Sequence, residues 1–147
     1  MNISKMNSNI IFGIDLGTTN SCCSVWINKT LHVIKEKING KNYSLIPSIV
    51  YINDDEIIVG NNALNKNPIL TFNNSKRLIG RKLNDNNVST FKQFLSYNIT
   101  SNLNGNILIN TKKGLKKPEE ISAMVLAKIK LLAMDFANIK DGPINAI

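Results

Sequence analysis

Apolar residues near the start of the chain come in short runs that turn-forming residues separate. One run covers residues 10–14 and ends at Gly17-Thr18-Thr19-Asn20, a second covers residues 21–27, and a third covers residues 30–34. Runs of this length, rich in β-branched residues and bounded by turn residues, are typical of strands. The pattern predicts an antiparallel meander, because connections as short as Asn28-Lys29 join antiparallel neighbours.

Turn signals continue through the middle of the chain. Asn39-Gly40 predicts a turn, and the apolar segments 48–52 and 57–59 predict a hairpin around Asn53-Asp54-Asp55. Residues 60–97 then show a helical pattern with interruptions, which indicates short helical pieces and no long helix.

The clearest helix begins near Pro118, which suits the first helical position, and Glu119-Glu120 complement the positive end of the helix dipole. Apolar residues then recur on one face at three- and four-residue spacing: Ile121, Val125, Ile129, Leu132 and Phe136. Asp141-Gly142-Pro143 predicts the end of the helix, and residues 144–147 predict a further apolar strand. Strands, a helix and a returning strand together predict an α/β fold.

Composition narrows the class of protein. The chain has 147 residues, 43% of them hydrophobic and 19% charged, which excludes a disordered protein. No apolar run approaches the about 18 residues of a membrane-spanning helix, so we expect no membrane partner. Lysine and arginine total 18 against 10 acidic residues, a net charge of +8. Because the basic residues are scattered and no nucleic-acid-binding motif accompanies them, we expect a solvated basic surface and no nucleic-acid partner.

The two cysteines, Cys22 and Cys23, are adjacent, which excludes a long-loop disulfide and a spaced metal knuckle and favours a reducing cytoplasmic compartment. We expect one thiol to face the core and both to be unreactive, since no basic residue adjoins them. We interpret Trp26 and Phe136 as core residues and His32 as a surface residue.

The residues after the first strand carry the most informative chemistry. Gly17 lets a phosphate approach the backbone, Thr18, Thr19 and Asn20 add donors, and successive turn N–H groups can form an anion-binding concavity. Asp15 would repel a polyphosphate unless a cation lay between them, and Mg²⁺ with several retained waters suits that position. The motif therefore indicates a phosphate–Mg²⁺ hairpin.

Two other interpretations of this motif stay open at this point. Asp15-Leu16-Gly17-Thr18-Thr19 also fits an ordinary polar turn, with Asp15 accepting local backbone hydrogen bonds. It is similar to the turn that carries the catalytic aspartate of aspartic proteases, although Leu16 replaces the hydroxyl residue expected there.

Five landmarks in order cover almost the whole chain. They are Ile14-Asp15-Leu16-Gly17-Thr18-Thr19-Asn20-Ser21-Cys22, Pro47-Ser48, Val59-Gly60 with Ala63, Lys76-Arg77-Leu78-Ile79-Gly80-Arg81, and Pro118-Glu119-Glu120-Ile121-Ser122-Ala123. Together they resemble the seventy-kilodalton heat-shock chaperone family. Leu45-Ile46-Pro47-Ser48 and the Gly114-Leu115 stretch before Pro118 lean towards HscA, the type dedicated to iron–sulfur cluster assembly, more than towards the general DnaK type.

The resemblance implies an actin-like ATPase fold, which is ribonuclease-H-like, in partial form. It implies a β-meander, an inserted small upper subdomain over about residues 40–115, a long helix and the start of a further strand. The lower subdomain would comprise about residues 10–39 and 116–147. Because family members are several times longer, we expect residues 1–147 to be a truncated N-terminal lobe without the substrate-binding domain.

The resemblance also implies roles for individual residues. Gly17, Thr18, Thr19 and Asn20 match the first phosphate loop, Asp15 matches the carboxylate that holds Mg²⁺ through water, and Lys76 matches the lysine that reaches the γ-phosphate. The implied ligands are ATP and Mg²⁺. The implied partners of the full-length family are a J-domain co-chaperone, an unfolded or iron–sulfur scaffold client and a nucleotide-exchange factor.

Three functions therefore remain under consideration. The first is the N-terminal part of an ATP-driven chaperone, which we expect to be inactive as an isolated piece because positioning supplies most of phosphoryl-transfer catalysis. The second is a sugar-kinase-like phosphotransferase, which opens with a similar Asp15–Thr19 motif but lacks the Lys76–Arg81 block. The third is a non-enzymatic basic binding protein, which salt-dependent retention on nucleic acid would reveal.

Overall fold

The computed structural model of the chain describes residues 10–27, 29–140, 142 and 144–147. Its strands and helices follow one another in the order β1 (Ile11–Asp15), β2 (Asn20–Ile27), β3 (Thr30–Val33), β4 (Glu36–Ile38), β5 (Lys41–Tyr43), β6 (Ile46–Pro47), β7 (Val50–Ile52), β8 (Ile57–Val59), β9 (Thr71–Phe72), α1 (Asn86–Lys92), β10 (Ile99–Ser101), β11 (Ile107–Thr111), β12 (Gly114–Lys116), α2 (Pro118–Phe136) and β13 (Asn145–Ala146).

The predicted meander is confirmed and forms the centre of the largest sheet. β1 pairs antiparallel with β2, where Ile14 lies opposite Cys23, and β2 pairs antiparallel with β3, where Val25 lies opposite His32. Asn28, part of the predicted β2–β3 connection, lies outside the described residues.

The further strand predicted over residues 144–147 is also present, as β13. It runs parallel to β1, so the strand order is β13-β1-β2-β3, and β6 pairs with the first two residues of β2. The Ile147 N–H donates to the Phe12 carbonyl at 2.9 Å, and the Ile14 N–H donates to the Ile147 carbonyl at 2.8 Å. α2 is the last element of the long connection that joins this parallel pair of strands.

Smaller sheets occupy the middle of the chain. The predicted hairpin forms from β7 and β8, with Val50 opposite Val59, and β9 joins its other edge. β4 and β5 form a hairpin that the sequence pattern did not predict beyond its turn, where Asn39 and Gly40 both have positive φ. β10, β11 and β12 make a third sheet. The helical pieces between residues 60 and 97 are short, as predicted, and β9 lies among them.

The long helix α2 begins at Pro118 as predicted. The Lys117 N–H donates to the Glu120 carboxylate at 2.7 Å, which satisfies one of the N–H groups that every helix start leaves unpaired. The buried face carries Ile121, Val125 and Ile129, and continues with Ala133. Asp141 and Pro143, which were predicted to end the helix, lie outside the described residues.

The assignment of Trp26 and Phe136 to the core is wrong. Trp26 is 64% exposed and Phe136 is 41% exposed. Because side chains alternate along a strand, the buried Val25 directs its neighbour Trp26 to the other face of the sheet. Phe136, in the last turn of α2, contacts the half-buried His32, with ring centroids 5.7 Å apart.

A single apolar cluster joins three of the four sheets to α2. The β4–β5 hairpin adds no residue to it, and its members include Phe12, Val25, Ile52, Phe72 and Ile109. Segments from both predicted subdomains therefore pack on one core, and the subdomain boundaries at about residues 40 and 115 stay a prediction. Among the described residues, no helix is both long and apolar enough to cross a bilayer.

Cys23 belongs to this core, as expected for one of the two thiols. It is 1% exposed, and burial raises the pKa of its thiol to about 11. The thiolate is the reactive form of a cysteine. With this raised pKa, only about one molecule in 10⁴ carries the Cys23 thiolate near pH 7. In a Cys22→Ser chain we therefore expect a thiol reagent to label Cys23 only as fast as the protein unfolds. Complete labelling within seconds at pH 7 under native conditions would contradict this.

Candidate functional site

The turn between β1 and β2 brings together most of the residues that the sequence singled out. Asp15 ends β1 with its side chain exposed, and Asn20 begins β2. At Gly17 the backbone passes so close to the Asn20 carbonyl oxygen that a Cβ atom would clash with it. Glycine is therefore required at position 17 by the tightness of this turn.

Ser48, which lies just after β6, contacts the turn through its backbone and its side chain. The Ser48 N–H donates to the Thr19 carbonyl at 2.8 Å, and the Ser48 hydroxyl donates to the Gly17 carbonyl at 2.8 Å. The Ser21 hydroxyl lies 2.8 Å from the Ser48 hydroxyl, and both side chains are buried. The turn is thus attached to a segment about thirty residues further along the chain.

Lys76 lies beside the same turn, 60 residues from it in sequence. Its ammonium group donates a hydrogen bond to the Leu16 carbonyl. Lys76 sits in a short 3-10 turn, Ser75–Arg77, whose first residue is buried and hydrogen-bonded to Ser122 of α2, with 3.1 Å between the hydroxyl oxygens. The predicted phosphate loop and the predicted γ-phosphate lysine are therefore neighbours in space.

Tyr97 supports the chain just before Lys76. Its hydroxyl donates to the Asn73 carbonyl at 2.5 Å, and its ring packs edge-on against Phe72 with centroids 5.1 Å apart. Burial raises the pKa of the Tyr97 hydroxyl, which keeps it neutral and able to donate. The chain is consequently held at Asn73 and at Ser75, both just before Lys76.

The amide groups of Gly17 and Thr18 lie in the middle of the turn. Within the described part of the chain neither N–H donates a hydrogen bond, and the same holds for the neighbouring Leu16 and Thr19 N–H groups. In a trans peptide the N–H points opposite to the carbonyl, and the carbonyls of these two peptides accept from Lys76 and Ser48. Consecutive N–H groups free in this way form a concavity that suits an anion such as phosphate.

Asp15 is the residue of the turn that fits a magnesium ion. Its carboxylate is exposed at the strand end directly before the free amides, so it could hold a cation through water. The described residues contain no cluster of three or more metal-ligating side chains. A hard cation at this position would therefore take its other ligands from water and phosphate oxygens, which is the coordination that Mg²⁺ favours.

Sequence reasoning missed the serines that hold the site. The sequence indicates Ser48 only through the Pro47-Ser48 landmark, and it gives no indication of Ser75. A small polar residue inside an apolar stretch, such as Ser48 before Ile49-Val50, was the available signal. Its partner on the turn could not be read from the sequence, because the contact spans 31 residues.

Comparison with known proteins gives the family. Residues 11–141 match the family model described as "Hsp70 protein". The chain is 40% identical over 139 residues to a mitochondrial-type heat shock protein 70 of Encephalitozoon hellem, and the match covers 92% of this chain and 23% of that protein. It is 39% identical over 132 residues to heat shock cognate 70 kDa protein 3 of Dictyostelium discoideum, with coverage of 84% and 20%.

A bacterial relative gives the same result. The chaperone protein DnaK of Carsonella ruddii is 41% identical over 134 residues, and the match covers 88% of this chain and 22% of DnaK. The chain thus spans about a fifth to a quarter of the length of these relatives. Its β-rich first part and long helix form part of an actin-like ATPase fold. The family model covers most of the chain, and the chain belongs to the Hsp70 family.

Proposed function

We propose that this chain supplies part of the nucleotide site of an ATP-dependent chaperone, in which the Gly17–Asn20 turn and Lys76 bind the phosphates of ATP. The observation that carries the proposal is the pair of free amides at Gly17 and Thr18, next to a lysine that reaches the turn from 60 residues away. An ordinary polar turn would require neither the free amides nor the distant lysine.

The chemistry of each group suits this role. The amides of Gly17 and Thr18 would donate to phosphate oxygens, and Asp15 would hold Mg²⁺ through water. When bound there, Mg²⁺ would neutralise part of the phosphate charge. The Lys76 ammonium, which bonds to the Leu16 carbonyl, would exchange this neutral acceptor for an anionic phosphate oxygen, and hydrogen bonds to charged acceptors are the stronger ones.

The wider activity is proposed from the family. ATP hydrolysis coupled to binding of client proteins, with a J-domain co-chaperone and a nucleotide-exchange factor, belongs to the full-length protein, and we expect little hydrolysis from the isolated chain. The iron–sulfur type rests on Leu45-Ile46-Pro47-Ser48 and the stretch before Pro118 alone. The relatives named above carry mitochondrial-type, cognate and DnaK names, so our proposal stays with the general chaperone class.

Nuclear magnetic resonance titration of the ¹⁵N-labelled chain with Mg²⁺-ATP tests the proposal. We expect the Gly17 and Thr18 amide signals to shift, and Lys76→Ala to weaken binding at least about tenfold, because hydrogen bonds to charged groups contribute about 1.5–3 kcal/mol. Asp15→Asn should reduce the preference for Mg²⁺-ATP over metal-free ATP.

Lys112→Ala is the matched control, because Lys112 is an exposed lysine in the β11–β12 turn and its loss changes the net charge equally. Binding should change less than twofold in this variant. Equal weakening by Lys76→Ala and Lys112→Ala would indicate that ATP binds the basic surface without a site, and would refute the proposal.

A further inference from the structure

Ser48 lies between β6 and β7, where the chain contacts the Gly17–Asn20 turn. It is only 6% exposed, and its hydroxyl takes part in two hydrogen bonds. The hydroxyl has one proton, which it donates to the Gly17 carbonyl at 2.8 Å. The Ser21 hydroxyl must therefore be the donor in the Ser21–Ser48 contact, so the bonds run in one direction from Ser21 through Ser48 to Gly17.

The two contacts from Ser48 determine which way the turn's amides point. Ser48 holds the Gly17 carbonyl with its hydroxyl and the Thr19 carbonyl with its N–H. Because each trans peptide is planar, with N–H and C=O on opposite sides, the N–H groups of Thr18 and Asn20 point away from Ser48. Ser48 is buried, whereas Thr19 and Asn20 are exposed, so this direction leads to the surface.

We propose that Ser48, supported by Ser21, is a positioning residue that fixes the turn so that its amides are presented to phosphate before any ligand arrives. The ligand rests on the proposed function, but the rigidity of the turn does not. A turn held in this way binds without first losing conformational freedom, which is how preorganisation improves affinity. Without the Ser48 hydroxyl, the Gly17 carbonyl has no other donor among the described residues, and the Gly17–Thr18 peptide can rotate.

The first measurement is the order parameter of the Thr18 amide from ¹⁵N relaxation of the unliganded chain. We expect a rigid value of about 0.85 in the unchanged chain and a flexible value below about 0.6 in Ser48→Ala. Thr71→Val is the matched control, because the buried Thr71 hydroxyl also donates to a backbone carbonyl, that of Asn67, at 2.8 Å. In the Thr71→Val variant, the order parameter of the Thr18 amide should equal that of the unchanged chain.

The second measurement separates this inference from the proposed function. Titration with Mg²⁺-tripolyphosphate should show weaker binding by Ser48→Ala, at least about fivefold, from the loss of a buried hydrogen bond. If the unchanged chain does not bind at all, the proposed function fails, and the order parameters still decide the role of Ser48. The positioning role of Ser48 would be overturned if the Thr18 amide stayed rigid in Ser48→Ala. It would also be overturned if the Thr18 order parameter fell as far in Thr71→Val as in Ser48→Ala.

Ser21→Ala provides the test if Ser48→Ala does not fold. It removes the donor to Ser48 but leaves the Ser48–Gly17 hydrogen bond in place, so the order parameter of the Thr18 amide should fall between the rigid and flexible values. An unchanged value in Ser21→Ala would count against the proposed role.

Discussion

Replacing Gly17 by alanine should abolish the response of the turn to Mg²⁺-ATP, while the chain keeps its fold. The new Cβ would clash with the Asn20 carbonyl oxygen, so the turn must open and its amides must move. Two charge-assisted hydrogen bonds are then misplaced, and at about 1.5 kcal/mol each their loss weakens binding by roughly a hundredfold or more. The titration proposed for Lys76 measures this directly.

Gly13→Ala is the matched control for that variant, since Gly13 lies on β1 only four residues earlier. A Cβ at Gly13 would lie 3.4 Å from the Ser24 hydroxyl oxygen, which is an acceptable contact. We therefore expect Gly13→Ala to bind Mg²⁺-ATP like the unchanged chain. Should Gly17→Ala bind equally well, the turn amides would not be the phosphate ligands.

Removing the Lys128 side-chain charge should lower the stability of the fold more than any other substitution proposed for this chain. Lys128 of α2 lies 2.7 Å from the carboxylate of Glu36 on β4, and Glu36 is only 3% exposed. Among the described residues, the only other hydrogen bond to that carboxylate comes from the Asn61 side-chain amide, at 2.8 Å. Lys128→Met leaves the buried negative charge without its cation, which should lower the free energy of unfolding by about 3–5 kcal/mol.

Chemical denaturation followed by circular dichroism measures this loss. Lys116→Met is the control, because Lys116 and Glu120 are 3.7 Å apart with the carboxylate half exposed, and such a pair contributes about 1 kcal/mol or less. Adding Glu36→Gln to Lys128→Met removes the unpaired charge, so it should restore part of the stability. If the double variant is less stable than Lys128→Met, burial of the charge is not the cause.

The parts of the fold that local patterns specify were predictable. The meander follows from apolar runs and short connections, and α2 follows from Pro118 and its apolar spacing. The β4–β5 hairpin was missed because its strands are mostly polar, and because its one fully buried side chain, Glu36, is a carboxylate. Burial of that charge depends on Lys128, about ninety residues later, which no local pattern reveals.

The residues of the candidate site likewise divide into those that a local sequence pattern reveals and those that it does not. Asp15 and the Gly17–Asn20 turn stand out locally, since an acidic residue followed by glycine and hydroxyl residues ends a buried strand. Lys76 was identified through family resemblance alone, because an exposed lysine beside Arg77 has no distinctive local pattern. The wrong prediction for Trp26 ignores the alternation along β2, which assigns the core side to Cys23 and Val25.

The contact between Lys76 and Leu16 also sets a time order for synthesis. The two residues are 60 positions apart, and ribosomes add about 5–20 residues per second, so the lysine is made roughly 3–12 s after the turn that it joins. Hairpins such as β7–β8 close within microseconds once they leave the ribosome. A nascent chain therefore has its local hairpins for seconds before the lysine reaches the turn, and phosphate bound between the turn and the lysine would mark chains that have passed this point.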